Sequence, residues 1–198
     1  MKLFLFFLVI VSHQLFGQAV RSNESLWDQI RLNSKLQYDS DRSEITNASE
    51  KYIGNQYLIN RLSKNGQRYL YYTVKEGLRK NLPVELSLIP FVESQFDPYA
   101  RSATGASGIW QFIPSTAKEN GLKKNWWYDG RRDIVASTEA AYGFLTKLYE
   151  RYGDWLIAIA AYNAGPSRIR KEIEKNKKKG LPTDFWSLNL PRETKSYV

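Results

Sequence analysis

Apolar residues recur at helical spacing between Ile53 and Leu78, at Tyr57, Leu58 and Leu62 and then at Tyr69, Leu70, Val74 and Leu78. The pattern predicts one long amphipathic helix, which Asn81-Leu82-Pro83 ends. Residues 83–94 are almost wholly apolar and predict a short buried helix, with Pro90 kinking it one turn before Glu93. The periodicity then stops. Asp97-Pro98, Gly105 and Gly108 break residues 95–113 into a loop with room for one small hairpin. Pro114 opens another short helix with Ser115 and Thr116 in its first turn. Trp126-Trp127-Tyr128-Asp129-Gly130 is an aromatic-rich turn. Asp133 caps a long helix to about Tyr152, and Asp154 caps a strongly apolar one from Trp155 to Tyr162. Gly165-Pro166 breaks that helix, a basic helix follows to about Lys179, and Pro191 opens a last one at Arg192-Glu193-Thr194. Strand signals are nearly absent, so the fold class is mainly α.

The N-terminal end has a different character. Residues 1–18 pair a basic start with a short apolar run and a small residue before Gln18, the pattern of a secretory signal peptide. The run is shorter than the roughly 20 residues of a membrane span. Residues 19–52 are polar and read as a partly ordered arm with one or two short helices, leaving 53–198 as one domain. The whole chain has 198 residues and 42% hydrophobic content, enough for one core.

Composition narrows the chemistry by elimination. There is no cysteine, and the single histidine, His13, falls in the leader. Disulfides, thiol catalysis, lipid attachment at a cysteine, a Ser-His-Asp triad and a His-ligated zinc site are all outside the expected mature chain, and no metal or other cofactor is expected. Carboxylates, lysines and tyrosines remain for proton transfer. The net charge of +9 favours an anionic partner, such as an anionic cell wall. It is not arranged as a nucleic-acid module, and its densest run, 175–179, reads as a solvated helix end.

Glu93 is the candidate acid. It ends an apolar run, with Leu86, Leu88, Ile89, Phe91 and Val92 as apolar surroundings, and such surroundings keep a carboxyl protonated near neutral pH. Taken alone it is better read as a surface acid at a helix end, and only the motifs around it reverse that reading. The glycine-rich loop after it, ending in Trp110-Gln111, offers close backbone approach, a stacking surface and an amide. Asp97 sits at an Asp-Pro turn and reads as structural. Trp110, Trp126 and Trp127 all read as core, with one of them at most stacking on sugar. Arg131, Arg132 and Asp133 read as a salt-bridge and capping cluster, and Asn163 as a helix cap.

Five ordered motifs now resemble one family. They are Glu93-Ser94, then Gly105-Ala-Ser-Gly-Ile-Trp-Gln-Phe-Ile-Pro-Ser-Thr-Ala117, then Asp129-Gly-Arg-Arg-Asp133 with Ser137-Thr138, then Gly153-Asp-Trp155 and Ala161-Tyr-Asn-Ala-Gly165, and last Glu193-Thr194 with Tyr197-Val198. Residues 66–198 resemble the lysozyme-like lytic transglycosylases, the SLT domain. Trp110 stands where the family more often has methionine. The family's last helix would run on past Val198, and many members carry further wall-binding repeats.

The resemblance implies a lysozyme-like helical domain with a small loop or hairpin region beside the cleft. It implies non-hydrolytic cleavage of the β-1,4 bond between N-acetylmuramic acid and N-acetylglucosamine, leaving 1,6-anhydro ends. By motif position it makes Glu93 the catalytic residue, with Ser102, Gln111, Tyr162 and Glu193 as substrate contacts and Trp110 beside them. It further implies peptidoglycan strands as partner, no nucleic acid, a periplasmic or secreted monomer, and peripheral attachment to wall or membrane. One motif acid, where ordinary glycosidases use two, predicts that Glu93 acts first as acid and then as base. A lysozyme-type hydrolase of the same fold and a non-catalytic peptidoglycan-binding protein are the alternatives.

Overall fold

The computed structural model describes residues 25–36, 42–50 and 54–198. The expected signal peptide, residues 1–18, and the segments 19–24, 37–41 and 51–53 of the arm lie outside the described residues, as do the side chains of Leu58 and Leu62. Two compact units divide at Ser34 and Lys35. In the first, Ser25 and Asp28 form a reciprocal capping box at the start of α1, Leu26–Leu32.

The second unit holds the remaining helices: α2 (Ser43–Glu50), α3 (Gln56–Arg79), α4 (Ile89–Ser94), α5 (Pro114–Glu119), α6 (Ile134–Tyr152), α7 (Trp155–Ala164), α8 (Pro166–Lys178) and α9 (Arg192–Tyr197). One 3₁₀ turn, Val84–Leu88, leads into α4, and another, Phe185–Ser187, follows α8. Among the described residues there is no strand ladder. The expected small hairpin region is a pair of isolated antiparallel bridges, Arg101 with Ser107 and Ser107 with Phe112. No described helix is long and apolar enough to cross a membrane.

The caps fall where side chains supply an acceptor. Asp133 accepts from the Ala136 amide at the start of α6, and Asp154 accepts from the Leu156 and Ile157 amides at the start of α7. Gly153, at φ +69°, ends α6 in the left-handed conformation that glycine adopts freely. Helix α7 is apolar on every face through its middle, residues 157–161, because all of these are buried. Ile157, Ala158, Ala160 and Ala161 meet Leu148 of α6, Ile169 of α8, and Phe185, Leu188 and Leu190 beyond. Each fully buried leucine or isoleucine there contributes roughly 1.5–3 kcal/mol. This packed core fixes α7 and α9 relative to each other.

Two expectations change. Pro90 does not kink a helix; it opens one, standing in the first turn of α4 where its missing N–H costs no bond. The residues before it form the 3₁₀ turn. Val92 is 44% exposed, so α4 turns one face outward and is not buried throughout.

Candidate active site

Glu93 occupies the last turn of α4, and the backbone stops that helix sharply. Gln95 and Phe96 both adopt left-handed φ values, 54° and 59°. Neither is glycine, and each such residue costs roughly 1–2 kcal/mol. Two hydrogen bonds hold the turn: the Gln95 amide donates to the Phe91 carbonyl at 2.9 Å and the Phe96 amide to the Pro90 carbonyl at 3.1 Å. The Phe96 side chain, fully buried, pins it. Ser94 ties α4 to the loop, its hydroxyl donating to the Pro90 and Ile109 carbonyls at 3.1 and 3.0 Å.

That loop is rigid for identifiable reasons. Arg131 is buried, pairs with Asp129 at 2.6 Å, and donates to the carbonyls of Gly105 at 2.8 Å and Phe112 at 3.2 Å. Gly108 has φ +83°, and a Cβ there would stand 1.7 Å from the Arg131 carbonyl oxygen, so only glycine fits. Gln111, also left-handed at φ 48°, uses its amide nitrogen on the carbonyls of Gly108 at 2.7 Å and Ala100 at 3.3 Å.

A groove of about 320 Å³ runs beside Glu93. Gln111, Phe112 and Ile113 from the loop, Phe144 of α6, and Tyr162 and Asn163 of α7 line it. Tyr162 donates its hydroxyl to the Trp110 carbonyl at 2.7 Å and packs its ring between Phe112 and Phe144. Tyr197 of α9 donates its hydroxyl to Glu93 Oε1 at 2.5 Å. Burial pushes the Glu93 carboxyl up to about 6, and the Tyr197 hydrogen bond partly offsets the rise. Burial, followed by the nearby Glu93 charge, holds both tyrosine hydroxyls well above their ordinary value. They stay protonated and act as donors. Among the described residues, Glu93 is the only carboxylate on this groove, and no cluster of His, Cys, Asp or Glu could hold a metal ion.

Glu93, Gln111 and Tyr162 thus meet in one place, while the other sequence candidates do not line the groove. Trp110 is a correction: it is fully buried, donates its indole N–H to Thr138 at 3.0 Å and packs edge-on against Tyr142, so its ring offers no surface to a ligand. Ser102 closes the loop on itself, bonding Thr104 and accepting from the Ala106 amide. Glu193 is exposed in the first turn of α9. Trp126 and Trp127 are not core but 85% and 73% exposed. Sequence reasoning missed Tyr197 as a partner of Glu93 and Phe144 as a wall of the groove. Nothing local signals a contact spanning 104 positions, although Tyr197 lies inside the last motif.

The family model described as "Transglycosylase SLT domain" matches residues 71–184. The chain belongs to this family. Among SLT-domain relatives, it is 43% identical over 184 residues to the membrane-bound lytic murein transglycosylase D of Escherichia coli K12, covering 92% of this chain and 40% of that protein. It is 31% identical over 108 residues to a membrane-bound lytic murein transglycosylase F of Desulfosudis oleivorans, covering 51% of this chain and 22% of the relative. The chain therefore spans about two fifths or less of the length of these relatives. The fold is that of a solved Pseudomonas aeruginosa structure, the lytic transglycosylase Slt in an inactive mutant form, with a TM-score of 0.51 at 24% identity over 94% of this chain and 32% of that one.

Proposed function

We propose that the chain is a peptidoglycan lytic transglycosylase that cleaves the bond between N-acetylmuramic acid and N-acetylglucosamine without water. The observation that carries this reading is a single, partly buried carboxyl whose pKa stands at about 6, on a groove with no second carboxylate among the described residues. At pH 7 a carboxyl at that pKa is about one tenth protonated, roughly thirtyfold more than one at 4.5, and that fraction is the proton donor. Glu93 gives its proton to the glycosidic oxygen as the C1–O bond breaks. The substrate's own N-acetyl carbonyl stabilises the positive charge that develops at C1, in place of a second carboxylate. Glu93, now a base, takes the proton of the muramic acid C6 hydroxyl as that oxygen closes on C1. The proton count balances, Glu93 returns to its starting form, and no cofactor enters.

Tyr197 keeps Glu93 aimed through both transfers, and its hydroxyl stabilises the carboxylate that exists between them. Gln111 and Tyr162 border the space for the sugar, held by hydrogen bonds to the backbone. Positioning of this kind, with ring distortion, supplies what acid–base help does not. Ser102 and Glu193 remain in the proposal as contacts made by a longer glycan beyond the groove. A secreted or periplasmic setting follows from the substrate. The test is the mass of muropeptides released from purified sacculi. Anhydro ends support the reading, and reducing ends, heavier by one water, would assign the chain to hydrolysis.

A further inference from the structure

A second groove, of about 620 Å³, lies on the other residues of the same loop and on the aromatic turn. Its volume is within the range of about 300–1,000 Å³ typical of ligand clefts. Tyr99, Trp126 and Trp127 line it and are 76%, 85% and 73% exposed, whereas tryptophan is ordinarily among the more buried residues. Trp126 and Trp127 lie together, ring centroids 4.3 Å apart. The turn that presents them is built: the Asn125 side chain accepts from the Trp127 and Tyr128 amides at 3.1 and 2.7 Å, and Gly130 donates to the Lys123 carbonyl at 2.9 Å. A fixed turn holding two tryptophans in water has no use for them in the core.

The charges on this groove have one sign to spare. Arg101, Lys124, Arg131 and Arg132 line it with Asp129 and Asp133. Both acids are already engaged, Asp129 by Arg131 and Asp133 by the amide it caps and by the Tyr128 hydroxyl at 3.1 Å. Four cations against two acids leave the groove net positive, with Arg101, Lys124 and Arg132 exposed beside the aromatic rings. Aromatic faces pack on the C–H faces of sugar rings, and a positive rim selects carboxylates. A concave groove suits a chain-like ligand better than a bilayer surface, which is met by a convex patch or an amphipathic helix face.

We infer that this groove is a second, non-catalytic binding site for peptidoglycan, in which Trp126 and Trp127 stack on the glycan while Arg101 and Lys124 meet the carboxylates of its stem peptides. The inference rests on the proposed substrate but not on the proposed reaction. Its role is to hold the wall while the Glu93 groove works on the strand.

The test uses the full chain carrying Glu93→Gln, so that binding to purified sacculi is read without cutting. Two double variants are compared in that background, Trp126→Ala/Trp127→Ala and Arg101→Glu/Lys124→Glu, each verified as folded by circular dichroism. Each is expected to lower sacculus affinity roughly tenfold or more, a loss of about 1.4 kcal/mol per factor of ten. The charge-reversal loss is expected to vanish on sacculi whose free carboxyls have been amidated with a carbodiimide and ammonium chloride, while the tryptophan loss persists. Parent-like binding by a folded member of either pair overturns the assignment, and the charge pair decides alone if the tryptophan pair does not fold. Tighter binding of the parent to phosphatidylglycerol–phosphatidylcholine vesicles than to sacculi, lost in the tryptophan pair, overturns it in favour of a membrane. A Glu93-containing chain that binds sacculi through this groove but releases no anhydro product removes the proposed reaction and leaves this site standing.

Discussion

Two carboxylates flank the same loop and meet opposite fates. Asp129 sits within 2.6 Å of Arg131, which holds its carboxyl below the usual carboxylate range. Glu93 sits at the end of α4 with only a neutral tyrosine hydroxyl against it, and burial pushes it up to about 6. Both are partly withdrawn from water. The difference is the cation. With a guanidinium beside it, a buried carboxylate is a structural strut that orders the loop through Gly105 and Phe112. Without one, it holds its proton to higher pH and can give it away. Burial raises both carboxyls, and only at Asp129 does a neighbouring cation overcome it.

The largest effect is expected at Glu93 itself. Replacing it with glutamine keeps the shape but removes the transferable proton, and turnover on purified peptidoglycan should fall by about 10²–10⁴. Arg131→Met comes next. It leaves Asp129 unpaired and two loop carbonyls without donors, and equilibrium denaturation should show a loss of about 3–5 kcal/mol. Gly108→Ala attacks the same junction through the backbone. A methyl group 1.7 Å from the Arg131 carbonyl cannot be accommodated without moving the loop, and about 2 kcal/mol or more should be lost in the same measurement.

The smaller effects concern pH. A folded pKa raised from 4.5 to about 6 means the fold prefers protonated Glu93. Its contribution to stability is present below pH 4.5 and is lost as pH rises through about 6. Glu93→Gln removes that loss, so at pH 8 the variant should be more stable than the parent by about 2 kcal/mol, from 1.36 kcal/mol per pKa unit. Thermal melts at pH 4 and pH 8 check the sign, because the gain should vanish at pH 4. For catalysis, kcat/KM should fall tenfold per pH unit above about 6. With no second carboxylate required in ionised form, it should level off below that point instead of tracing a bell. Tyr197→Phe is the mildest change. It removes a hydrogen bond worth about 1 kcal/mol that favours the carboxylate, so the falling limb should move to higher pH.

The caps and breakers were legible in the chain because each acts on its own neighbours: Asp133, Asp154 and Gly165-Pro166 all end or begin helices as their chemistry requires. Glu93 and its apolar approach were legible for the same reason, since α4 is short and its acid follows directly. Pro90 was misread because a proline tolerated in a first turn and one that kinks a helix differ only in where the helix starts. All three tryptophans read as core, and the structure buries Trp110 but leaves Trp126 and Trp127 exposed. Hydrophobicity ranks residues by type, whereas burial here depends on whether α6 lies behind them. Tyr197 reaches Glu93 only because α7 packs on α9, a relation that no local pattern records.

The most direct test of the central claim is the titration of Glu93 itself, followed by carboxyl carbon resonances in labelled protein and assigned by the line that disappears in Glu93→Gln. The account predicts a midpoint near pH 6 for this group. A midpoint at or below the ordinary glutamate value of about 4.3 would show that the site does not hold the proton on this carboxyl, and would contradict its role as the proton donor.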